Sequence, residues 1–226
     1  MCGRFTIANP DVGQIAEQFA LPNVPQVTFE PRYNVAPTQA VAVVFNDAES
    51  KNHLDFMFWG LIPSWSKDAT AASKMINARA ETVAEKPAFR SALSKRRCLI
   101  IADGFYEWKA ETGSTKQPMR ITLKDGALFG FAGLYERWTE PNSGEMIPTC
   151  TIITTIPNGL MAPIHNRMPV IIPREQYSTW LDYKTTDAAK VLPLLAPYDE
   201  TEMRAYPVSR AVNNPKSSGA DLIQPV

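Results

Sequence analysis

Apolar and polar positions alternate with a period of two through much of this chain, and that period predicts strands. Residues 40–46 form an apolar, β-branched run, and 53–59 alternate from His53 to Trp59. Further strands are predicted over 98–103, 105–109, 119–123, 128–135, 149–155 and 168–172. The helical period is rarer. Asn9-Pro10-Asp11 followed by Val12, Ile15, Ala16 and Phe19 predicts a capped amphipathic helix with proline at its first position. Other helices are predicted near 80–85, 88–95, 174–182 and 187–195. Strands and helices do not alternate regularly, which argues against a doubly wound parallel sheet. The expected class is α+β: one strand-rich domain over 1–226, with a curled, barrel-like antiparallel or mixed sheet and peripheral helices.

Composition narrows the function classes. The 226 residues are 45% hydrophobic and 20% charged, as in an ordinary globular protein long enough for a substantial core. No apolar run reaches the roughly 18 residues of a membrane span, and no signal peptide opens the chain. An intracellular protein that does not enter membranes is therefore expected, and a monomer. Lys and Arg number 23 against 23 Asp and Glu, so any nucleic-acid partner must be held by a local arginine cleft rather than by bulk charge. Three cysteines and two histidines give neither a disulfide framework nor a metal-ligand spacing, and no metal or cofactor is expected. Cys98 and Cys150 lie in apolar β-branched runs and read as buried strand residues.

Cys2 is different. If Met1 is removed, the amine and thiol of one residue meet at the N-terminus as a 1,2-aminothiol. That group condenses with an aldehyde to a thiazolidine, or serves as an N-terminal nucleophile with its own amine as base. Four other segments carry candidate chemistry. Asn77 and Arg79 alternate before a helix; Asn77 is either a cap or a cleft residue sharing a face with Arg79. In Asp103-Gly104-Phe105-Tyr106-Glu107-Trp108-Lys109, Gly104 suggests a bulge or close backbone approach. Alternation there sets Phe105, Glu107 and Lys109 opposite Tyr106 and Trp108. Glu107 is a rim charge, or, if buried, a carboxyl raised toward neutrality and fit for proton transfer. His165, beside Asn166 and Arg167 in a loop between Pro163 and Pro169, is either a satisfied structural residue or a proton shuttle. Trp59 reads as core, whereas Trp65, between Ser64 and Ser66, reads as exposed and able to stack on a base.

Taken together, these segments resemble the SRAP family, the SOS-response-associated peptidases, now described as abasic-site processing proteins. The matching stretches are Cys2-Gly3-Arg4-Phe5, Tyr33-Asn34-Val35-Ala36-Pro37, Trp59-Gly60-Leu61-Ile62-Pro63, Ile76-Asn77-Ala78-Arg79-Ala80-Glu81-Thr82, the Asp103–Lys109 segment, Ile164-His165-Asn166-Arg167-Met168-Pro169 and Val208-Ser209-Arg210-Ala211-Val212-Asn213. They run in the family's order from residue 2 nearly to the C-terminus. The resemblance implies that Cys2 is the nucleophile and that Asn77, Glu107 and His165 complete the active site. It implies that Arg4, Arg79 and Arg167 hold DNA phosphates, and that Trp65 and Pro37 wedge against bases. Some relatives carry two adjacent tryptophans where this chain has Trp65-Ser66. The implied partner is single-stranded DNA containing abasic sites, bound without cofactor, and the implied reaction is a covalent crosslink to the ring-opened sugar. Autoproteolytic loss of Met1 and a lyase activity belong to the same implication. The alternatives are an N-terminal-nucleophile cysteine peptidase or amidase, and a non-catalytic reader of damaged DNA.

Overall fold

The computed structural model describes residues 2–111 and 115–226. Thirteen strands are assigned among them: β1 (Phe5–Ile7), β2 (Arg32–Val35), β3 (Ala40–Asn46), β4 (Asn52–Trp59), β5 (Asn77–Arg79), β6 (Arg97–Ala102), β7 (Gly104–Ala110), β8 (Lys116–Leu123), β9 (Phe129–Thr139), β10 (Met146–Thr155), β11 (Met168–Pro169), β12 (Ile171–Ile172) and β13 (Met203–Pro207). Four short α-helices accompany them: α1 (Val12–Gln18), α2 (Arg90–Lys95), α3 (Tyr177–Leu181) and α4 (Ala188–Val191). None of the described helices is long and apolar enough to cross a membrane.

Five strands close into a ring. β10 pairs with β4, β4 with β3, β3 with β6, β6 with β9, and β9 returns to β10. Every pairing in the ring is antiparallel except the parallel β10–β4 contact. Closure removes the edges that an open sheet would expose. The strand alternation decides what faces where. Val41, Val43 and Phe45 of β3, Cys98 and Ile100 of β6, Phe131 of β9, and Cys150 and Ile152 of β10 fill the interior. Their neighbours Ala42, Val44, Leu99, Ile101, Ala132, Leu134 and Ile153 face outward. That outer layer is covered by Ile15 and Phe19 near α1, Ala92 and Leu93 of α2, and Tyr177, Trp180 and Leu181 of α3. Both faces of these strands are therefore mostly apolar.

The second sheet, β13-β8-β7-β1-β2, is antiparallel throughout. One face packs on the barrel through Phe5 and Phe105, whose rings lie 5.8 and 6.0 Å from that of Phe131. The other face is covered by the C-terminal segment, where Val208, Val212 and Leu222 bury Tyr106.

The sequence pattern locates β3, β4, β6, β7, β9 and β10 to within a few residues and needs correction elsewhere. Asp11 caps α1, its carboxylate accepting from the Gln14 amide at 2.7 Å, so Pro10 stands outside the helix rather than at its first position. The helix expected at 80–85 shrinks to a single 3-10 turn, Ala80–Thr82. The spans 174–182 and 187–195 are each a short α-helix joined to a 3-10 turn. The strand expected at 168–172 breaks in two because β11 pairs with β10 and β12 with β9.

Candidate functional site

Cys2 owes its place to β1. The Tyr106 amide donates to the Arg4 carbonyl at 3.0 Å, and Phe5 pairs with Phe105, so the N-terminal segment runs antiparallel along β7 toward Glu107. Behind it, Asp103 pins the strand. Its carboxylate accepts from the Thr6 hydroxyl at 2.5 Å, from the Asn9 amide at 3.2 Å and from Arg120 Nη2 at 3.1 Å. A side chain at Gly104 would stand 3.0 Å from Arg120 and from Thr6 Oγ1, so the glycine marks a close approach rather than a bulge. Cys2 ends fully buried, within the cluster that fills the barrel mouth.

Glu107 follows the alternation read from the sequence. Phe105 faces the barrel, while Tyr106 and Trp108 face the C-terminal segment. Glu107 is 2% exposed, and this burial pushes its carboxyl up to about 7. A charged carboxylate in low dielectric is costly, so the proton is held more tightly. Burial, and then the nearby Glu107 charge, push the Cys2 thiol well above its ordinary range.

His165 comes from the loop joining β10 to β11. Met161 accepts the His165 amide at 2.9 Å, while Asn158 Oδ1 accepts from the Met161 amide at 2.9 Å and holds that turn. The imidazole Nε2 lies 4.0 Å from Glu107 Oε2. Nδ1 lies 3.1 Å from the Arg167 amide, which can only donate, and 3.3 Å from the Arg167 carbonyl. Acceptance from the amide goes with a proton on Nε2, facing Glu107, and donation to the carbonyl goes with a proton on Nδ1. Burial first, and surrounding positive charge after it, lower the His165 pKa, so the ring is neutral at pH 7.

Asn77 stands on β5. Where the chain leaves the barrel after β4, Gly60 adopts φ +137°, and a Cβ there would meet the Ala72 carbonyl at 2.6 Å. β5 then takes over alongside β10, with Asn77 opposite Ile152 and Arg79 opposite Thr154. The buried Trp59 anchors this strand by donating its indole N–H to the Ile76 carbonyl at 2.8 Å, in keeping with its reading as core. Asn77 Nδ2 donates to the same carbonyl at 2.9 Å; among the described residues its buried Oδ1 accepts no hydrogen bond.

Cys2, Glu107 and His165 thus meet in one seam, and Asn77 lies on β5 opposite Ile152, which shares the core cluster with Cys2. The arginines are placed less uniformly. Arg79 is exposed. Arg4 donates to Asn34 Oδ1 at 2.7 Å and to the Val212 carbonyl at 2.8 Å, and its guanidinium lies 6.0 Å from the Trp108 ring centroid. Arg167 is held by Glu81 and the Thr154 carbonyl. Trp65 is 67% exposed, and Pro37 is half-buried. Met1, whose removal the aminothiol chemistry requires, lies outside the described residues.

Three residues escape the sequence reading. Asn34 donates to the Asn214 and Ser217 carbonyls at 3.0 and 2.9 Å and so fastens the C-terminal segment over the second sheet. Asp103 and Arg120 make a buried ion pair. The available signal was a charge inside an otherwise apolar strand, Met119-Arg120-Ile121, since such a charge needs a buried partner.

The buried Cys2 thiol and Glu107 carboxyl lie close enough to influence each other, and the His165 imidazole lies 4.0 Å from that carboxyl. The chain belongs to the SOS response associated peptidase (SRAP) family, whose model matches residues 1–215. It is 51% identical over 225 residues to the abasic site processing protein YoqW of Bacillus subtilis, covering 99% of each chain. It is 32% identical to the abasic site processing protein HMCES of Rattus norvegicus, over 86% of this chain and 65% of that one. Among solved structures, a protein from Bacteroides thetaiotaomicron superposes with a TM-score of 0.87 at 28% identity, covering 100% of both chains. One from Bordetella bronchiseptica superposes at 0.76, also at 28% identity, over 92% of this chain and 100% of that one.

Proposed function

We propose that this protein processes abasic sites in single-stranded DNA by forming a thiazolidine between Cys2 and the ring-opened sugar, once Met1 has been removed. The observation that carries this reading is the seam itself: β7 guides the N-terminal cysteine against Glu107, with the His165 ring 4.0 Å beyond. The abasic-site processing names borne by relatives up to 51% identical over 99% of the chain support it.

The chemistry runs in two steps. The Cys2 amine adds to the C1′ aldehyde, and loss of water from the carbinolamine leaves an imine. The thiol then adds across the C=N bond; sulfur bonds to C1′, the thiol proton passes to nitrogen, and the five-membered ring closes. The raised thiol pKa favours this order, because a thiol held neutral is a weak nucleophile and leaves the first attack to the amine. Glu107, poised at about 7, can give a proton to the carbinolamine hydroxyl as it leaves as water and then, as carboxylate, carry the thiol proton to the imine nitrogen. His165, neutral with its proton on Nε2, donates to the sugar ring oxygen as the furanose opens. Asn77 Oδ1 offers a buried acceptor to the terminal amine. Arg79 is the exposed cation for phosphate, with Arg4 and Arg167 on the walls, and Pro37 and Trp65 contact flanking bases. An intact duplex keeps its bases stacked against such contacts, so single strands are preferred.

The test uses mature protein and uracil-containing single-stranded DNA pretreated with uracil glycosylase, followed by denaturing electrophoresis. A heat-stable covalent species is expected with the wild type and is lost with Cys2→Ala. A Cys2→Ala protein that still gave that species would overturn the reading.

A further inference from the structure

The ion pair between Glu81 and Arg167 is unlike an ordinary surface pair. Both carboxylate oxygens of Glu81 engage the guanidinium, Oε1 with Nη1 at 2.5 Å and Oε2 with Nη2 at 3.0 Å. Nη2 also donates to the Thr154 carbonyl at 2.6 Å. The Arg167 side chain is 14% exposed and that of Glu81 46%. Exposed pairs contribute little to stability because both side chains lose freedom and water screens them. Here the fork is bidentate and one partner is largely buried, which fixes geometry as well as charge.

What the fork fixes is the backbone of Arg167, and that backbone reads the His165 ring. Nδ1 lies between two groups of the same residue, the amide at 3.1 Å and the carbonyl at 3.3 Å. The first demands a bare Nδ1 and puts the proton on Nε2. The second demands Nδ1–H and leaves Nε2 bare. A small rotation of the 165–167 loop decides between them. Only the Nε2–H form presents a proton on the side of Glu107 and the reacting sugar.

We propose that Glu81 is a positioning residue for His165, acting through Arg167 to hold the imidazole in its Nε2–H tautomer. The part played by that tautomer in the reaction rests on the crosslinking reading above. The position of the proton does not. Glu81 lies in the segment that supplies Asn77 and Arg79, so one short stretch places two functions: β5 sets the amide wall, and the turn after it sets the imidazole. Arg167, engaged by both Glu81 and the Thr154 carbonyl, also acts on the loop.

The experiment compares wild-type protein, Glu81→Asp and Glu81→Gln, each labelled with ¹⁵N-histidine. With two histidines in the chain, His53 provides an internal reference: its ring bonds Asp47 at 2.6 Å in the β3–β4 hairpin, apart from this loop. Wild-type His165 should give the nitrogen shifts of a single Nε2–H tautomer at pH 7.5. Glu81→Gln should give a mixture, and its crosslinking rate should fall about tenfold, in line with impaired proton transfer. Glu81→Asp, which keeps the carboxylate on a shorter arm, should fall between the two in both measurements. Unchanged tautomer shifts in Glu81→Gln would overturn the proposal. So would a lost rate with an unchanged tautomer, since Glu81 and Arg167 would then act on the DNA directly. If the tautomer responds as expected but wild-type protein gives no adduct with abasic DNA, the crosslinking reading falls and the positioning role stands.

Discussion

The closed barrel and the five-stranded sheet beside it place their buried charges differently. In the barrel strands, inward and outward positions are mostly apolar, the outer layer is covered by helices, and the buried charges Arg97 and Glu136 lie on the outward side, tied to the Leu93 and Trp180 carbonyls and to Arg96. The second sheet buries charge: Asp103 and Arg120 are 4% and 7% exposed, and Glu107 is 2% exposed. Its outer face is closed by a C-terminal segment tied down through Asn34 and Arg4. The barrel gains stability from area removed from water. The second sheet gives some of that up to hold polar groups in fixed geometry, and Cys2, Glu107 and His165 gather where the two meet. Buried ionisable groups at such a seam are the usual sign of a site whose pKa values matter.

The contrast can be broken from the barrel side with the largest effect. Phe131 is fully buried and packs edge-on against Phe5, Phe105 and Phe129. Phe131→Ala should lower unfolding stability by about 3–5 kcal/mol in denaturant titration, through lost transfer energy and the cavity left behind. A loss under about 1 kcal/mol would mean the aromatic junction is not the joint between barrel and sheet.

Glu107 should behave in the opposite sense. Its folded pKa of about 7 lies above the ordinary carboxyl value, so the native state binds the proton more tightly than the unfolded chain. The resulting stability is fully present below about pH 4.3 and is lost as pH rises through about 7. Glu107→Gln removes that dependence. At pH 8 the variant should be more stable than wild type by about 2–3 kcal/mol, and its stability should be flatter between pH 4.5 and 7. Its crosslinking should fall by about 10²-fold or more, as expected when a proton-transfer group is removed. A variant less stable than wild type at pH 8 would show that the carboxylate is well solvated.

The smallest expected effect is at Cys2. Although buried, it contributes one sulfur atom, so Cys2→Ala should cost only about 1 kcal/mol in the same titration. Near-native stability together with complete loss of the adduct would separate chemistry from packing most sharply. A loss comparable to that of Phe131→Ala would make Cys2 a core residue first.

Much of the barrel was legible because its strands are long and two-sidedly apolar, so local pattern and burial agree. The residues 40–46 that the pattern predicts as a strand are those of β3. β1, β2 and β13 escaped, since strands such as Phe5–Ile7 and Arg32–Val35 have no period of their own and exist because a neighbour supplies hydrogen bonds. The helix expected at 80–85 shrank for a local reason: a single turn is costly to nucleate, and although Val83 is buried, Pro87 stands too close for the helix to continue. At the site, the identities of Cys2, Asn77, Glu107 and His165 were readable as candidates. The choice between rim and buried acid at Glu107 was not.

The sequence by itself determined the chemical inventory of this protein: a cysteine at position 2, one histidine in a proline-bounded loop, a glutamate among aromatics, and strands whose alternation states which residues share a face. Only the tertiary structure decided what those residues are. Desolvation belongs to surroundings rather than to a residue type. The surroundings of Glu107 come from the N-terminal segment and from a loop beginning about fifty residues further along the chain. The His165 tautomer likewise depends on an arginine clamped by a glutamate 86 positions away in sequence. Contacts of that range leave no local periodicity, because the chain pays the entropy of closing such loops only once the whole fold forms.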